Sequence, residues 1–173
     1  TTVVGPGPDG RLTIGLFNDD SVFLFDLVTR NVVDEPWPSD EVGLHGVIDG
    51  ILDIETDGNS IYLLLGLANQ VIGFDLEAGP SGGVHKLASG LLTPNRMKMQ
   101  GAVLHVVNSG DNSLAAISVE TGDSTIFGLP VNCNPWDIDT VPGDGPAKAW
   151  ISCLKSNSVV VVDTADGSIT EVK

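Results

Sequence analysis

The stretch Val103–Gly122, VLHVVNSGDNSLAAISVETG, decides the fold of this 173-residue chain. It holds two short apolar runs, VLHVV and SLAAISV, joined by the turn-rich NSGDN. A second turn cluster, Glu120-Thr121-Gly122-Asp123, precedes the next run, STIFGL. Asn, Gly and Asp supply the positive φ angles and side-chain-to-backbone bonds of tight turns, while Val, Leu and Ile suit a pleated, half-buried surface. Two antiparallel strands and the start of a third are expected here.

The run after the first turn, Asn112–Ser118, has three relatives: Asp20–Asp26, Asn69–Asp75 and Asn157–Asp163. Each opens on Asn or Asp and closes on a hydrophobe followed by Asp or Ser. The openings at 20, 69, 112 and 157 lie 49, 43 and 45 residues apart. The surroundings repeat as well. Upstream stand LTIGLF, SIYLLLGL, VLHVVN and AWISCL; downstream stand NVVDEPW, GVHKLA, STIFGL and SITEV. Leading into the units are TTVV, ILDIET, NRMKMQ and WDIDTV, so each repeat carries four strands, A to D.

Four strands recurring every ~45 residues indicate propeller blades that stack face to face. The expected fold is all-β: one β-propeller domain over 1–173, with four four-stranded antiparallel blades at about 1–40, 41–90, 91–130 and 131–173. The middle strands, such as YLLL and VVVV, show little alternation, as expected of strands covered on both faces. A β-sandwich is the other fold that uses many short strands, but it predicts no fixed period.

LHVVNSGDNSLAAISVETG, followed by Asn134-Pro135-Trp136-Asp137-Ile138, resembles the YVTN family of β-propeller repeats. Val106-Val107-Asn108 stands at the name-giving position, and Asp163-Thr164-Ala165-Asp166-Gly167 matches the family's turn. The likeness is good in repeats three and four and loose in one and two, where Leu16-Phe17-Asn18 and Leu65-Gly66-Leu67 keep only its outline. The resemblance implies a surface-layer or extracellular protein. Its members close with more blades than the four read here. The chain is accordingly expected to be an arc of a larger ring, completed by another chain or by a further segment; a small closed ring is the alternative.

The formal charge of −15 repels nucleic acid, whose binding needs phosphate-neutralising Lys and Arg, and disfavours anionic membranes. No apolar stretch approaches the ~20 residues of a membrane span. The sequence opens at Thr1 without Met, as expected of a processed product. Cys133 and Cys153, the two cysteines, come roughly opposite each other in an A–B hairpin of the last repeat. They form either a disulfide, fitting an oxidising compartment, or two buried thiols.

Asp53 and Glu55, like Asp137 and Asp139, sit at i, i+2 on A strands, so each pair points one way. Such carboxylates suit a hard cation such as Ca2+ near the propeller axis; hydrated or paired channel charges are the structural alternative. Arg96 and Lys98 form the matching basic pair. The three histidines show no zinc spacing. Trp37 falls between prolines on a loop, Trp136 and Trp150 read as blade-packing residues, and Met97 and Met99 as filling.

The functional expectation is a non-catalytic, extracytoplasmic binding or scaffold module, placed outside the cell, at its surface or in a periplasm. It would recognise a protein partner, or another copy of itself, through loop residues Asp19, Asp20, Asn108, Asp111 and Asn112. The alternative is part of a propeller enzyme, lactonase-like or quinoprotein-like, with an axial metal or cofactor.

Overall fold

A computed structural model of the chain describes residues 2–7, 11–16, 21–37, 50–75, 84–141 and 148–173. Among them there is no helix, and hence none long and apolar enough to cross a membrane. The chain divides into two compact units, Thr1–Ser89 and Gly90–Lys173.

The first unit holds two four-stranded antiparallel sheets. One runs in the order β1 (Thr2–Pro6), β2 (Leu12–Leu16), β3 (Ser21–Asp26), β4 (Asn31–Trp37). The other runs β5 (Ile51–Thr56), β6 (Ser60–Leu65), β7 (Gln70–Asp75), β8 (Val84–Ser89). The second unit repeats the plan. Its blades are β9 (Pro94–Gln100), β10 (Val103–Asn108), β11 (Ser113–Ser118), β12 (Ser124–Gly128) and β13 (Pro135–Thr140), β14 (Lys148–Cys153), β15 (Ser158–Asp163), β16 (Ile169–Val172). Each blade is a meander with strands A to D in chain order.

The turns explain why the third strand ends on Asp or Ser in the first, third and fourth repeats. Asp26 Oδ1 accepts the N–H groups of Val28 and Thr29 at 2.8 Å, and Asp163 Oδ1 accepts that of Ala165 at 3.0 Å. The Ser118 hydroxyl does the same for Thr121. Each turn then closes through a left-handed residue, Arg30, Gly122 or Gly167, whose N–H donates to the carbonyl of Asp26, Ser118 or Asp163. The Asn that opens the third strand in the last three repeats is left-handed too, at Asn69, Asn112 and Asn157 with φ near 50°. Asn tolerates that region better than other non-glycine residues, so the repeat signature is a backbone requirement.

Within the first unit the blades pack through Val22 and Leu24 of β3 against Ile51, Ile54, Ile61, Leu63, Ile72 and Phe74. Gly5 permits the approach: a Cβ there would stand 2.5 Å from the Ile54 carbonyl oxygen. Within the second unit Val107 and Leu114 pack on Ile138, Ala149, Ile151, Val160 and Val162. A disulfide joins Cys133 and Cys153, both buried at the edge of this core with Cα atoms 4.4 Å apart.

The expectation of middle strands covered on both faces needs correction in the fourth blade. β6, β7 and β10 are buried almost throughout, but β14 and β15 alternate. Within the second unit only one face of that blade has a sheet against it. For the same reason Trp150 is 42% exposed and Trp136 54%, so neither is a packed core residue. Met97 is buried as filling.

Candidate functional site

The loop between β10 and β11, residues 109–112, is the best-defined of the partner-binding loops read from the sequence. Its base is fastened to the residue that precedes strand A. The Ser109 N–H and hydroxyl both donate to the Thr93 carbonyl at 3.0 Å, and the Gly110 N–H donates to the Leu92 carbonyl at 2.9 Å. A side chain at Gly110 would meet that carbonyl oxygen at 2.7 Å, so only glycine fits this descent. Thr93 itself has φ +53°, an outlier for a β-branched residue.

Equivalent bonds recur in the second and fourth blades. The Gly66 N–H donates to the Gly50 carbonyl, and the Leu154 N–H to the Asn134 carbonyl. Gly50 and Asn134 are left-handed like Thr93. Sequence reading missed Thr93 as the anchor of the loop. The available signal was its place directly before an A strand, in step with Gly50 and Asn134.

The named loop residues take different roles. Asn108 is buried, and its Nδ2 donates to the Ser113 hydroxyl at 3.2 Å. That hydroxyl donates to Asp111 Oδ1 at 2.7 Å. Asn112 is half-buried, and its Oδ1 accepts the Asn134 N–H at 2.7 Å, linking the loop to the fourth blade. Asn108 and Asn112 therefore hold the loop, while Gly110 and Asp111 form its exposed tip. Asp19 and Asp20 lie outside the described residues, as does His45.

The carboxylate pairs fall where the strand register puts them. Asp53 and Glu55 share one face of the second blade with Leu64 and Tyr62, and Glu55 is only 7% exposed. Asp137 and Asp139 lie exposed on the open face of the fourth blade. Asp53, Asp137 and Asp139 each accept the N–H of the following residue, at 2.8 to 3.0 Å. Among the described residues no three His, Cys, Asp or Glu side chains gather closely enough to hold a metal ion.

Two buried side chains have displaced titrations. Burial raises the Tyr62 hydroxyl to about 12, helped by its 2.8 Å bond to Asp57. His105 is fully buried on β10; neither ring nitrogen meets a partner of good geometry, and burial lowers its pKa. The nearby Lys98 backbone offsets only part of that desolvation.

No family model matches the sequence, and no curated protein matches it. Solved structures do. The chain is similar to virginiamycin B lyase from Staphylococcus aureus, with TM-score 0.58 and 13% identity over 99% of this chain and 69% of that one. It is similar to a streptogramin B lyase, with TM-score 0.58 and 14% identity over 98% of this chain and 67% of the other. Kuenenia stuttgartiensis hydrazine synthase gives TM-score 0.68 and 16% identity over 98% of this chain and 53% of its own, so the chain spans about half its length. Likeness at such identities speaks for the fold alone. These are propeller proteins, and the chain has an all-β propeller fold of four four-stranded antiparallel blades.

Proposed function

We propose that this chain is a non-catalytic, extracytoplasmic binding or scaffold module that recognises a protein partner through its blade loops. The observation that carries the reading is the loop at 109–112. Its base is fixed by six hydrogen bonds, from Ser109 (two), Gly110, Asn108, Ser113 and Asn134, while Gly110 and Asp111 are exposed. A tip held in one conformation loses little entropy when a partner orders against it. The −15 charge favours a partner with a basic surface. The Cys133–Cys153 disulfide supports an oxidising location, outside the cell, at its surface or in a periplasm.

The test is capture of partners from an extracytoplasmic extract of the source organism by the immobilised chain and its Asp111→Lys variant. A protein retained by the native chain and lost with the variant supports the reading; identical capture by both sinks it.

The fold shared with two lyases favours a second reading, part of a propeller enzyme with a metal or cofactor held by strand A residues such as Asp53 and Glu55. Calorimetric titration with Ca2+, together with elemental analysis and an absorption spectrum of the purified protein, separates the two. Stoichiometric metal or a chromophore favours the enzyme, and heat lost on Asp53→Asn would place the ion on that strand.

A further inference from the structure

Strand register gives every blade the same two faces, and burial shows which of them are covered. On one face, strands A, B and C line up as Val4–Ile14–Phe23 in the first blade and Ile54–Leu63–Ile72 in the second. They continue as Met97–Val106–Ala115 in the third and Ile138–Ile151–Val160 in the fourth. The last three rows are buried, but in the first Val4 is 56% exposed and Ile14 and Phe23 only half-buried. On the opposite face, Thr13, Tyr62, His105 and Trp150 occupy one position and Val22, Val71, Leu114 and Val159 another. There the first three members are buried, while Trp150 and Val159 are 42% and 38% exposed.

At these positions the fourth blade exposes the face that is buried in the other three, and the first blade exposes the opposite one. An open depression of about 490 Å3, lined in part by Trp136, Ser152, Val159 and Val172, lies on the former. This surface is apolar at Trp150, Val159 and Val172 and carries Asp137 and Asp139 on its A strand, where the third blade has Arg96 and Lys98. It repeats the register of a formed blade-to-blade interface and so fits a blade, and each copy of the chain displays the reciprocal surface.

We propose that the fourth blade's open face is covered by the first blade of a second copy, head to tail. Val4, Ile14 and Phe23 of that copy would pack on Trp150 and Val159, in the manner of Ile138, Ile151 and Val160 on Val107 and Leu114. The proposal concerns blade faces and stands apart from the loop reading. Four strands about 4.8 Å apart and some 20 Å long make a face of roughly 400 Å2 per copy, below the size of stable interfaces, so the association is weak and concentration-dependent. It is heterologous, with unlike surfaces meeting, and therefore extends beyond two copies unless the rotation closes.

Analytical ultracentrifugation of the full chain, Trp150→Glu and Val4→Glu across a concentration series tests this, with circular dichroism confirming that each variant is folded. The native mass should rise with concentration, and more steeply at high salt, because screening relieves repulsion between acidic copies. Each variant alone should associate about tenfold or more weakly, since it buries a charge on an apolar face. Mixed in equal amounts, the two variants retain one intact pair of faces and should form dimers that grow no further. Should both exposed-face variants prove misfolded, Val159→Lys replaces Trp150→Glu and is read the same way. A strictly monomeric native chain, association untouched by the variants, or a mixture that fails to pair would overturn the proposal.

Discussion

Arg30 is the residue at which the repeat is least well served by its sequence. It occupies the left-handed closing position of the β3–β4 turn, with φ 58°, where the third and fourth blades carry Gly122 and Gly167. All three N–H groups donate to equivalent carbonyls at 2.8 to 2.9 Å, so the turn is the same and only the residue differs. A non-glycine residue in that region costs about 1–2 kcal/mol, against which the unfolded freedom of glycine is worth about 0.5–1 kcal/mol. Arg30→Gly should therefore stabilise the protein by about 0.5–1 kcal/mol, raising the melting temperature by roughly 2 °C. Calorimetric melting checks this, and a lower melting temperature would mean that the Arg30 side chain earns more than its backbone strain costs. Thr93 carries similar strain, but its carbonyl anchors the 109–112 loop, so its strain belongs to the candidate site.

At the level of the element, the blade was legible because its determinants are local. Asn at the start of a third strand, as at Asn112 and Asn157, and Asp or Ser at its end, as at Asp26, Ser118 and Asp163, satisfy turn geometry within four or five residues, and the apolar runs mark the strands between them. Which face of a strand is covered was not legible. VVVV in β15 and YLLL in β6 look alike as sequence, yet β6 is buried almost throughout and β15 only on alternate residues. The loop site divides the same way. Asp111 was visible as a loop carboxylate, whereas the Asn112–Asn134 bond spans 22 residues and needed the blades to be assembled. The disulfide also lies between these levels, since hairpin pairing brings Cys133 and Cys153 near each other but counting does not oxidise them. Closing a loop of 20 residues should stabilise the fourth blade by about 3 kcal/mol. Replacing both cysteines with alanine should lower the unfolding free energy of the second unit by that amount, read as a lower denaturant midpoint. Hydrogen exchange should show the loss concentrated in β13–β16, and exchange rising equally in all blades would contradict it.

For the whole molecule, acid should act in two separate windows. His105 is neutral and enclosed in the fold, with its pKa lowered by burial from an ordinary value of 6.5. Above 6.5 the imidazole is neutral in both folded and unfolded chains, and its contribution to stability is complete. As pH falls below 6.5 the unfolded chain takes up a proton that the folded one excludes, so stability declines towards the folded pKa. The slope is at most about 1.4 kcal/mol per pH unit for one group. A second decline begins lower, near the ordinary carboxylate value of 3.8. The Asp26 carboxylate is held down by the Thr29 and Val28 N–H groups, and Asp166 by Ser168. At Asp57 burial pushes upward, but the Ser60 and Asn59 N–H groups and the Tyr62 hydroxyl outweigh it. Loss of the −15 charge works against both declines, because protonation relieves self-repulsion. Salt separates these effects, since it screens surface repulsion but reaches a buried imidazole far less. Urea unfolding in high salt between pH 7.5 and pH 4.5 should therefore show falling stability in the native chain. His105→Met, similar in volume and unable to titrate, should flatten that window and leave the carboxylate window in place. An unchanged slope in the variant would mean that some other group takes up the proton.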